Sequence, residues 1–501
     1  MAISARAEAA SHVRGQRAGT GAHRETAIRI VIALTIAGAA LRFATLNVQS
    51  LWLDESATVI LVKRSFGGML SHLSSSESAP PLYYVLVWLW THVFGTGAIG
   101  FRSLSAVAGT LTIPVVYACG RESSERVGVW AAAFATFSPI MYYYSQEARV
   151  YAMLVLFGAV AFLCWLRALR IGDRRSLGWW ALASAVAVLT HYFAAFLFIP
   201  EALILLRRQG LRRVWLPIGV VCAVGAALAP LAASQRSDGK TKWIEEASLG
   251  TRSAQTVKQF LVGLNGPAQL ETAALSGLIG LALLALVVTR ARRAERTVAR
   301  DAAIVCAAAI ALPLVLAAGH LIDVFDGRNV IAAWVPYAVV LAAGAGAVGT
   351  ARVGPALGPA MCAVGIGVIV ATNLLPAYQR DDWRGIADAL PQPTASRAIV
   401  GEHYASIPLS IYLHQNFDGL TTGTVVAREL DFGALRVRHS SSAPSPPYKQ
   451  LTPPAGFRLV AVSSNAAYAV TRFLAPRPTR VSVQELLRLS GDENGEVLIP
   501  R

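Results

Sequence analysis

The sequence predicts a polytopic α-helical membrane protein that ends in a small α/β domain. Of its 501 residues, 54% are hydrophobic and 15% are charged, whereas a soluble protein carries about 25% charged residues. Such a chain cannot cover a water-facing surface of this size, so much of its side-chain surface must face lipid. Apolar runs recur between residues 27 and 375, and the composition becomes mixed after that point.

The charge distribution predicts the topology. The formal net charge is +16, from 45 Lys and Arg residues against 29 Asp and Glu residues. Arginines gather in four connections between apolar runs, and cytoplasmic loops of membrane proteins show this excess. The charge is therefore a topology signal and gives no reason to expect nucleic acid as a partner. The four groups are Arg121 and Arg126; Arg167, Arg170, Arg174 and Arg175; Arg207, Arg208, Arg212 and Arg213; and Arg290, Arg292, Arg293, Arg296 and Arg300.

About eleven membrane spans are expected in residues 27–375, with the N-terminus in the cytoplasm and the C-terminus outside it. Residues 1–26 are polar and Arg-rich, which predicts a disordered cytoplasmic tail. The first outer loop, residues 47–100, is expected to hold interfacial helices. The predicted spans are Ala27–Leu46, Phe101–Cys119, Val127–Ile140, Val150–Leu166, Leu177–Thr190, Tyr192–Leu206, Val214–Ala233, Ala274–Thr289, Ala302–Gly319, Val330–Val348 and Gly354–Leu375.

Two segments allow more than one interpretation. Leu177–Leu206 could form one long tilted helix, but a single crossing would put the following basic cluster outside. Two short spans hinged at His191–Tyr192 keep every basic cluster inside. Pro80–Phe94 could also cross the membrane, which would put Arg121 and Arg126 outside. We therefore favour an amphipathic helix in the interface for this segment.

Residues 376–501 are long enough for one small α/β domain, which the topology places on the extracytoplasmic side. Short apolar runs bounded by polar residues indicate strands and a helix. We expect strands at Arg397–Glu402, Leu459–Ser463 and Tyr468–Leu474, a helix at Ile407–His414 and a loop at Ser440–Pro454.

Acidic residues are scarce, so the pair Asp54 and Glu55 at the start of the first outer loop is informative. One interpretation is local: Asp54 caps a helix over Glu55–Val62, because carboxylates are favoured at helix N-termini. The other is functional: a carboxylate at the membrane boundary can have a raised pKa and act as a general base. The two interpretations are compatible.

A second polar group lies in the next outer loop, where Glu147 and Arg149 stand at the mouth of a span. They indicate either a second acid with a phosphate-binding arginine, or an aromatic belt with a local ion pair. Arg328 and Arg102 also begin spans on the predicted outer side, and Arg328 has Asp326 as an alternative local partner. Because arginine can pair two phosphate oxygens, we predict Arg149, Arg328 and Arg102 as ligands of a phosphate.

Further polar side chains are expected around the same cavity. A lone histidine such as His191 is more often structural than functional. Carboxylates on one wall and cations on another suit transfer of a group from a lipid-phosphate donor, because a phosphate needs cations and an alcohol nucleophile needs a base. Expected lining residues are Gln146, His191, Tyr83 and Tyr144, and Lys240 and Lys242 are alternative phosphate ligands.

Five segments in this order resemble bacterial GT-C glycosyltransferases, most closely the family 39 and protein O-mannosyltransferase-like enzymes. This group includes lipid A aminoarabinose transferase and the lipopolysaccharide galacturonosyltransferases. The resemblance covers roughly residues 27–375. The aspartate–glutamate pair is its most specific part. The segments are Leu51–Glu55, Ala79–Tyr84, Phe101–Ser105, Ser145–Tyr151 and Thr190–Tyr192.

The resemblance implies a GT-C fold and an inverting sugar transfer in the bacterial inner membrane. The donor would be a polyprenyl-phosphate sugar, and the acceptor a cell-envelope molecule outside the cytoplasm. The family's first-loop aspartate corresponds to Asp54, with Glu55 beside it, and its second-loop acid to Glu147. Relatives often have His before the Pro-Pro pair, where this chain has Ala79, so no role is carried over there. A divalent metal is permitted but not required across the group, and no cofactor is predicted.

Two other classes of function stay open from the sequence. A transporter or flippase of polyprenyl-linked or other lipids would also have many spans and buried charges. Such folds show paired repeats with matched broken helices, which this sequence lacks. A non-catalytic relative would only bind polyprenyl lipid, and the intact Asp54 argues against it. No motif encodes the identity of the sugar or of the acceptor.

Overall fold

The computed structural model describes residues 24–237, 242–347, 349, 353–390, 396–435 and 451–501. Within these residues the chain forms a bundle of helices followed by a six-stranded sheet. Three sequence-based predictions fall mostly or wholly on other parts of the chain. The tail at residues 1–26 (apart from 24–26), the phosphate ligand Lys240 and most of the loop Ser440–Pro454 lie outside the described residues.

The helices begin and end as follows: α1 Arg24–Phe43, α2 Leu53–Val62, α3 Phe66–Ser76, α4 Pro81–Phe94, α5 Ala98–Arg121, α6 Glu125–Phe137, α7 Pro139–Ser145, α8 Tyr151–Ile171, α9 Arg174–Thr190, α10 Ala195–Gln209, α11 Leu211–Ser237, α12 Leu249–Val262, α13 Gln269–Arg290, α14 Arg293–Ala318, α15 Trp334–Gly346, α16 Gly354–Leu374, α17 Trp383–Ala389, α18 Ser406–Tyr412 and α19 Val483–Ser490. Short 3-10 turns lie at Tyr192–Ala194, Lys242–Glu246 and Ile331–Ala333.

Seven of the helices in the described residues are long and apolar enough to cross a membrane: α1, α5, α8, α11, α13, α14 and α16. Each coincides with a predicted span. The remaining predicted spans fall on shorter or broken helices, namely α6 with α7, α9, α10 and α15. The predicted class, a polytopic helical membrane protein, is confirmed, and the number of eleven spans stays a prediction. Helix α4 has 14 residues and is about 21 Å long, which is short for a span.

The predicted hinge at His191 separates α9 from α10, and the two helices fold back on each other. Trp180 in the first half of α9 stacks on Phe198 in α10, with the ring centroids 5.4 Å apart. At the end of α10, the Gln209 side chain donates to the Ala168 carbonyl near the end of α8, at 2.8 Å. The segment is therefore a helical hairpin, as the charge pattern predicts.

The Arg-rich connections meet at one end of the bundle, which we call the basic end. There Glu122 pairs with Arg167 at 3.1 Å and with Arg170 at 2.7 Å. Asp301 accepts two hydrogen bonds from Arg208, at 2.9 and 2.7 Å. Helix α5 has 24 residues, so it extends about 36 Å from the basic end to the opposite end. That opposite end, which carries the loops before α2 and α8, is called the site end.

The C-terminal sheet has the strand order β2-β6-β1-β3-β5-β4. Strands β1 and β3 are parallel and the other pairs are antiparallel. The predicted strands and helix correspond to β1, β4, β5 and α18, whereas β2, β3, β6 and α19 were not predicted. The strands are β1 Arg397–Gly401, β2 Phe417–Leu420, β3 Thr424–Leu435, β4 Arg458–Ser464, β5 Tyr468–Ser482 and β6 Glu496–Pro500.

Candidate active site

The two neighbouring carboxylates lie in the first turn of α2, whose N-cap is Trp52. The Glu55 carboxylate accepts from the Trp52 backbone N–H at 3.4 Å. The sequence-based interpretation of Asp54 as the N-cap is therefore wrong, because the helix begins one residue before it. Within the described residues, the Asp54 carboxylate accepts no hydrogen bond from the protein, and its side chain is 31% exposed.

Glu55 and Arg102 form an ion pair that we call the buried pair. Arg102 Nε and Nη2 donate to the two Glu55 carboxylate oxygens at 2.7 and 2.5 Å, and the Ala148 backbone N–H donates to Glu55 at 2.9 Å. Burial acts to raise the pKa of Glu55, but Arg102 and the Ala148 N–H outweigh it and hold this pKa below its ordinary value. Glu55 is therefore a charged, fully bonded carboxylate that joins α2, α5 and the loop before α8.

Arg102 has no guanidinium N–H group left to bind a ligand. Besides Glu55, it donates to the backbone carbonyls of Leu46, Gln49 and Ser50 at 2.7 to 2.9 Å. Its side chain is buried, with 1% exposed. The structure therefore gives Arg102 a role in fixing the segment before α2, and the phosphate-binding role predicted for it has no support in its contacts.

Asp54 and Arg328 form a second, looser pair that we call the open pair. Arg328 Nη1 lies 3.5 Å from Asp54 Oδ2, and Arg328 Nε lies 3.8 Å from Asp326. The guanidinium lies over the rings of Trp243, at 4.1 Å, and Tyr151, at 5.9 Å. Burial lowers the pKa of Arg328, but Tyr151, Asp54 and Asp326 outweigh it, so this pKa is raised. Aromatic faces hold the cation while leaving its N–H groups open for a ligand.

The loop that carries Arg328 is fixed from α12. Arg252 pairs with both carboxylate oxygens of Asp323, each at 2.7 Å. Gly327 packs so closely on α12 that a Cβ atom there would lie 2.1 Å from Gln259 Oε1. With Gln259 in this position, only a residue without a side chain fits this close approach. Arg328 therefore follows a loop segment that is anchored on α12 at two positions, Asp323 and Gly327.

Arg149 has a partner that sequence reasoning missed. Its Nη1 donates to Glu77 at 2.7 Å and to the Thr58 hydroxyl at 2.8 Å, so the carboxylate partner of Arg149 is Glu77 and not Glu147, which was the alternative local partner. Glu77 also accepts from Tyr84 at 2.8 Å. Glu77 is a lone acid in a Ser-rich stretch before the Pro-Pro pair, and that isolation was the available signal. Arg149 Nε is buried and has no hydrogen-bond partner in the described residues.

Glu147 is a buried carboxyl group that lies near the charges of Arg380 and of Glu55 and Asp54. It is 1% exposed, and its Oε2 has no hydrogen-bond partner in the described part of the chain. Burial raises the pKa of Glu147 to about 7, with Arg380 opposing this shift and Glu55 and Asp54 adding to it. Glu147 can therefore be neutral or charged near neutral pH.

Within the described residues, no group of three His, Cys, Asp or Glu side chains could hold a metal ion.

Arg380, after the last helix of the bundle, is a second residue that the sequence reasoning missed. Its guanidinium donates to the carbonyls of Gln146 and Tyr143 at 2.8 and 2.9 Å and lies over the Tyr143 ring at 4.2 Å. Its backbone N–H donates to Gln49 at 2.9 Å. The charged run that follows α16 in the sequence was the available signal. Arg380 fixes the start of the loop that carries Glu147.

The residues expected to line the cavity surround the site but are mostly buried in contacts of their own. The Gln146 amide donates to the Arg42 carbonyl. His191 caps the turn that follows it by accepting a backbone N–H, which is the structural role expected of a lone histidine. Tyr83 and Tyr144 are 0% and 3% exposed. These side chains shape the walls of the site more than its open surface.

The C-terminal domain contacts the segment that leads into α2. The Tyr412 hydroxyl accepts from the Leu51 N–H at 2.6 Å and from the Ser50 hydroxyl at 3.1 Å. The Arg384 backbone N–H donates to the Ser50 hydroxyl at 3.0 Å, and its side chain donates to the Asn47 carbonyl at 3.2 Å. The position of Asp54 therefore depends on contacts from the sheet domain as well as on the bundle.

A known protein family and two solved structures are similar to this chain. Residues 78–234 match the family described as dolichyl-phosphate-mannose-protein mannosyltransferase. The chain is similar to apo ArnT from Cupriavidus metallidurans, with a TM-score of 0.51 and 13% identity over 91% of this chain and 98% of ArnT. For ArnT bound to undecaprenyl phosphate, the TM-score is 0.50 and the identity 13% over 88% and 97% of the two chains. No curated protein sequence matches the chain. The GT-C fold implied by the sequence resemblance is confirmed.

Proposed function

We propose that the protein is a membrane glycosyltransferase that moves a sugar from a polyprenyl-phosphate donor to a cell-envelope acceptor. The observation that carries this proposal is the open pair. A carboxylate with no protein hydrogen bond among the described residues stands 3.5 Å from an arginine held by aromatic rings. The match of residues 78–234 and the ArnT-like fold support the same chemistry. In this proposal the site end faces away from the cytoplasm, as the basic end predicts.

Arg328 is the best candidate for holding the donor phosphate. Its guanidinium is 20% exposed and pairs only loosely with Asp54 and Asp326, at 3.5 and 3.8 Å. A phosphate can take its N–H groups at the shorter distances that charge-assisted hydrogen bonds prefer. Arg149 is the second candidate, because one edge of its guanidinium is unpaired in the described residues although Glu77 holds the other. The bound undecaprenyl phosphate of ArnT supports a donor of this class.

Asp54 is the proposed general base. The acceptor hydroxyl oxygen forms a bond to the anomeric carbon of the sugar, and its proton passes to the Asp54 carboxylate. The bond between that carbon and the phosphate oxygen breaks on the opposite face, and its electron pair stays on the polyprenyl phosphate, where Arg328 stabilises the charge. Displacement from the opposite face inverts the anomeric configuration.

Glu147 supports this reaction in its neutral form. Its raised pKa of about 7 means that a large share of these groups keep their proton near neutral pH. A neutral carboxyl leaves less negative charge near the donor phosphate, which would otherwise be repelled. We therefore propose Glu147 as the second acid of the site and not as a second base.

The test is transfer from a radiolabelled polyprenyl-phosphate sugar by the purified protein in native lipid. Asp54→Asn should lower transfer by about 10²–10⁴-fold, the usual effect of losing a positioned base, without changing the melting temperature. Asp388→Asn, on the exposed side of α17, is the matched control and should keep wild-type activity. Near-wild-type transfer by folded Asp54→Asn protein would overturn the assignment. Label that crosses the bilayer while still on polyprenyl phosphate would instead support a flippase.

A further inference from the structure

Glu77 is a buried acid at a point where four segments of the site end meet. It ends α3 as the C-cap residue, and its side chain is 2% exposed. Thr58 of α2 donates to its Oε1 at 2.8 Å. Its Oε2 accepts from Tyr84 of α4 at 2.8 Å and from Arg149, before α8, at 2.7 Å. Both carboxylate oxygens therefore have protein partners, so Glu77 acts on its neighbours and not on a substrate.

Arg149 is held by only one of its three guanidinium nitrogens. Besides Glu77, its Nη1 donates to the Thr58 hydroxyl at 2.8 Å and to the Asp54 carbonyl at 3.4 Å. In the part of the chain that the structure describes, no hydrogen bond uses Nε or Nη2, and Nε is buried. Nε and Nη2 form one edge of the guanidinium, and such an edge can pair two oxygens of a phosphate at once. Glu77 therefore holds Arg149 and leaves the edge that suits a phosphate.

The free edge of Arg149 belongs to the same region as the open pair. Arg149 contacts Asp54 at its backbone carbonyl, at 3.4 Å, and Arg328 approaches the Asp54 carboxylate at 3.5 Å. Both arginines therefore border on the proposed general base. A buried donor such as the Arg149 Nε–H is costly to leave without a partner, and an anionic oxygen is the best partner for it.

The contacts of Glu77 fix the guanidinium before any ligand arrives. Thr58 donates to Glu77 and accepts from Arg149, so the three side chains form a closed ring of hydrogen bonds. A free arginine side chain loses rotamer freedom when it binds a ligand, and a side chain that is already held avoids this cost. An acid beside the arginine also weakens its attraction for a phosphate, so the benefit of Glu77 must come from position and not from charge.

We infer that Glu77 is a positioning residue of the donor site, which fixes Arg149 so that its Nε and Nη2 meet the donor phosphate. Glu77 itself touches neither the sugar nor the phosphate. The inference rests on the proposed function and deepens it, because it gives Arg149 a phosphate contact in addition to that of Arg328.

The first measurement is the affinity of the purified full-length protein in nanodiscs for undecaprenyl phosphate, together with the thermal midpoint. Glu77→Gln keeps the size of the side chain but removes its charge. The affinity should fall about tenfold, the effect of losing one hydrogen bond to a charged group. Glu122→Gln is the matched control, because Glu122 pairs with two arginines at the basic end, and its affinity should stay at the wild-type level. Unchanged or tighter binding by folded Glu77→Gln protein would overturn the inference.

A double-mutant cycle tests whether Glu77 works through Arg149. Arg149→Gln should lower the affinity by about tenfold or more, and adding Glu77→Gln to it should cost less than about twofold further. A merely structural Glu77 would lower the thermal midpoint, but its effect on affinity would not depend on Arg149. Losses that multiply in the double variant, or a wild-type affinity of Arg149→Gln, would contradict the inference.

Thr58→Val decides the matter if Glu77→Gln does not fold. It keeps the shape of the side chain and removes only the hydroxyl that joins Glu77 to Arg149. The affinity should fall about threefold, and only while Arg149 is present; an unchanged affinity would refute the positioning role. These tests measure binding and not sugar transfer, so a failure here differs from a failure of the Asp54 test.

Discussion

The buried pair and the open pair start from adjacent residues, Glu55 and Asp54, but they lie in different surroundings. Glu55 is fully buried, and Arg102 uses all its hydrogen-bonding nitrogens on Glu55 and on backbone carbonyls. Asp54 is 31% exposed and lies 3.5 Å from Arg328, which has no closer carboxylate in the described residues. A carboxylate and an arginine therefore serve as a structural joint in one place and as an open acid–cation pair in the other.

The two pairs differ in how many of their hydrogen-bond donors and acceptors already have partners in the protein. A buried ion pair is tolerated only when its remaining donors and acceptors are satisfied, and the carbonyls before α2 satisfy Arg102. An arginine over aromatic rings keeps its N–H groups for a ligand. Removing a group from the buried pair should therefore change stability, and removing one from the open pair should change function.

The largest effect should come from Glu55→Gln. The substitution leaves Arg102 buried without its counter-charge, and breaking a buried pair costs about 3–5 kcal/mol. The thermal midpoint in detergent should fall clearly below that of wild type, whereas Asp54→Asn should melt like wild type. A Glu55→Gln protein that melts normally but loses transfer would exchange the roles of the two carboxylates.

The stability of the wild type should also depend on pH through Glu147. The pKa of this buried carboxyl is raised from 4.5 to about 7, so between these values the folded state binds more protons than the unfolded state. The free energy of unfolding therefore falls as pH rises through this window. Glu147→Gln removes the contribution, so its thermal midpoint should fall less between about pH 5 and pH 8 than that of wild type. Equal slopes in both proteins would show that Glu147 is ionised throughout.

A smaller effect is expected for Arg328→Lys, which keeps the charge but loses the planar fork. Binding of undecaprenyl phosphate should weaken by about 1–3 kcal/mol, the scale of a charge-assisted hydrogen bond, and stability should hold. Arg102→Lys is the matched variant in the buried pair, and it should lower the melting temperature more than the affinity. If Arg328→Lys binds undecaprenyl phosphate as well as wild type does, the phosphate lies elsewhere.

The smallest effect should come from Tyr412→Phe, at the contact between the sheet domain and the bundle. It removes the hydroxyl that holds Leu51 and Ser50, and such bonds contribute about 0.5–1.5 kcal/mol each. The segment before the open pair should loosen, so kcat should fall modestly with little change in KM. Tyr404→Phe, on a tyrosine of the same domain that is 51% exposed, should leave both constants unchanged.

Much of the architecture follows from properties that each segment carries by itself. Apolar length identifies the seven long helices, and the placement of arginines predicts the hairpin at His191, because a cationic loop is costly to translocate. The C-terminal strands with clear apolar runs, β1, β4 and β5, were found for the same reason. Strand β3 was missed because its alternation includes buried charges such as Asp431, which pair with arginines from neighbouring strands.

The sequence by itself determined that this is a polytopic membrane protein with a basic end, and it singled out Asp54, Glu147 and Arg328 as chemically unusual. Only the tertiary structure decided which carboxylate meets which arginine. Sequence spacing offered Glu147 as an alternative local partner of Arg149, but folding brings Arg149 to Glu77, seventy-two positions away. The physical reason is that burial and hydrogen-bond saturation depend on neighbours from several helices, which no local pattern records.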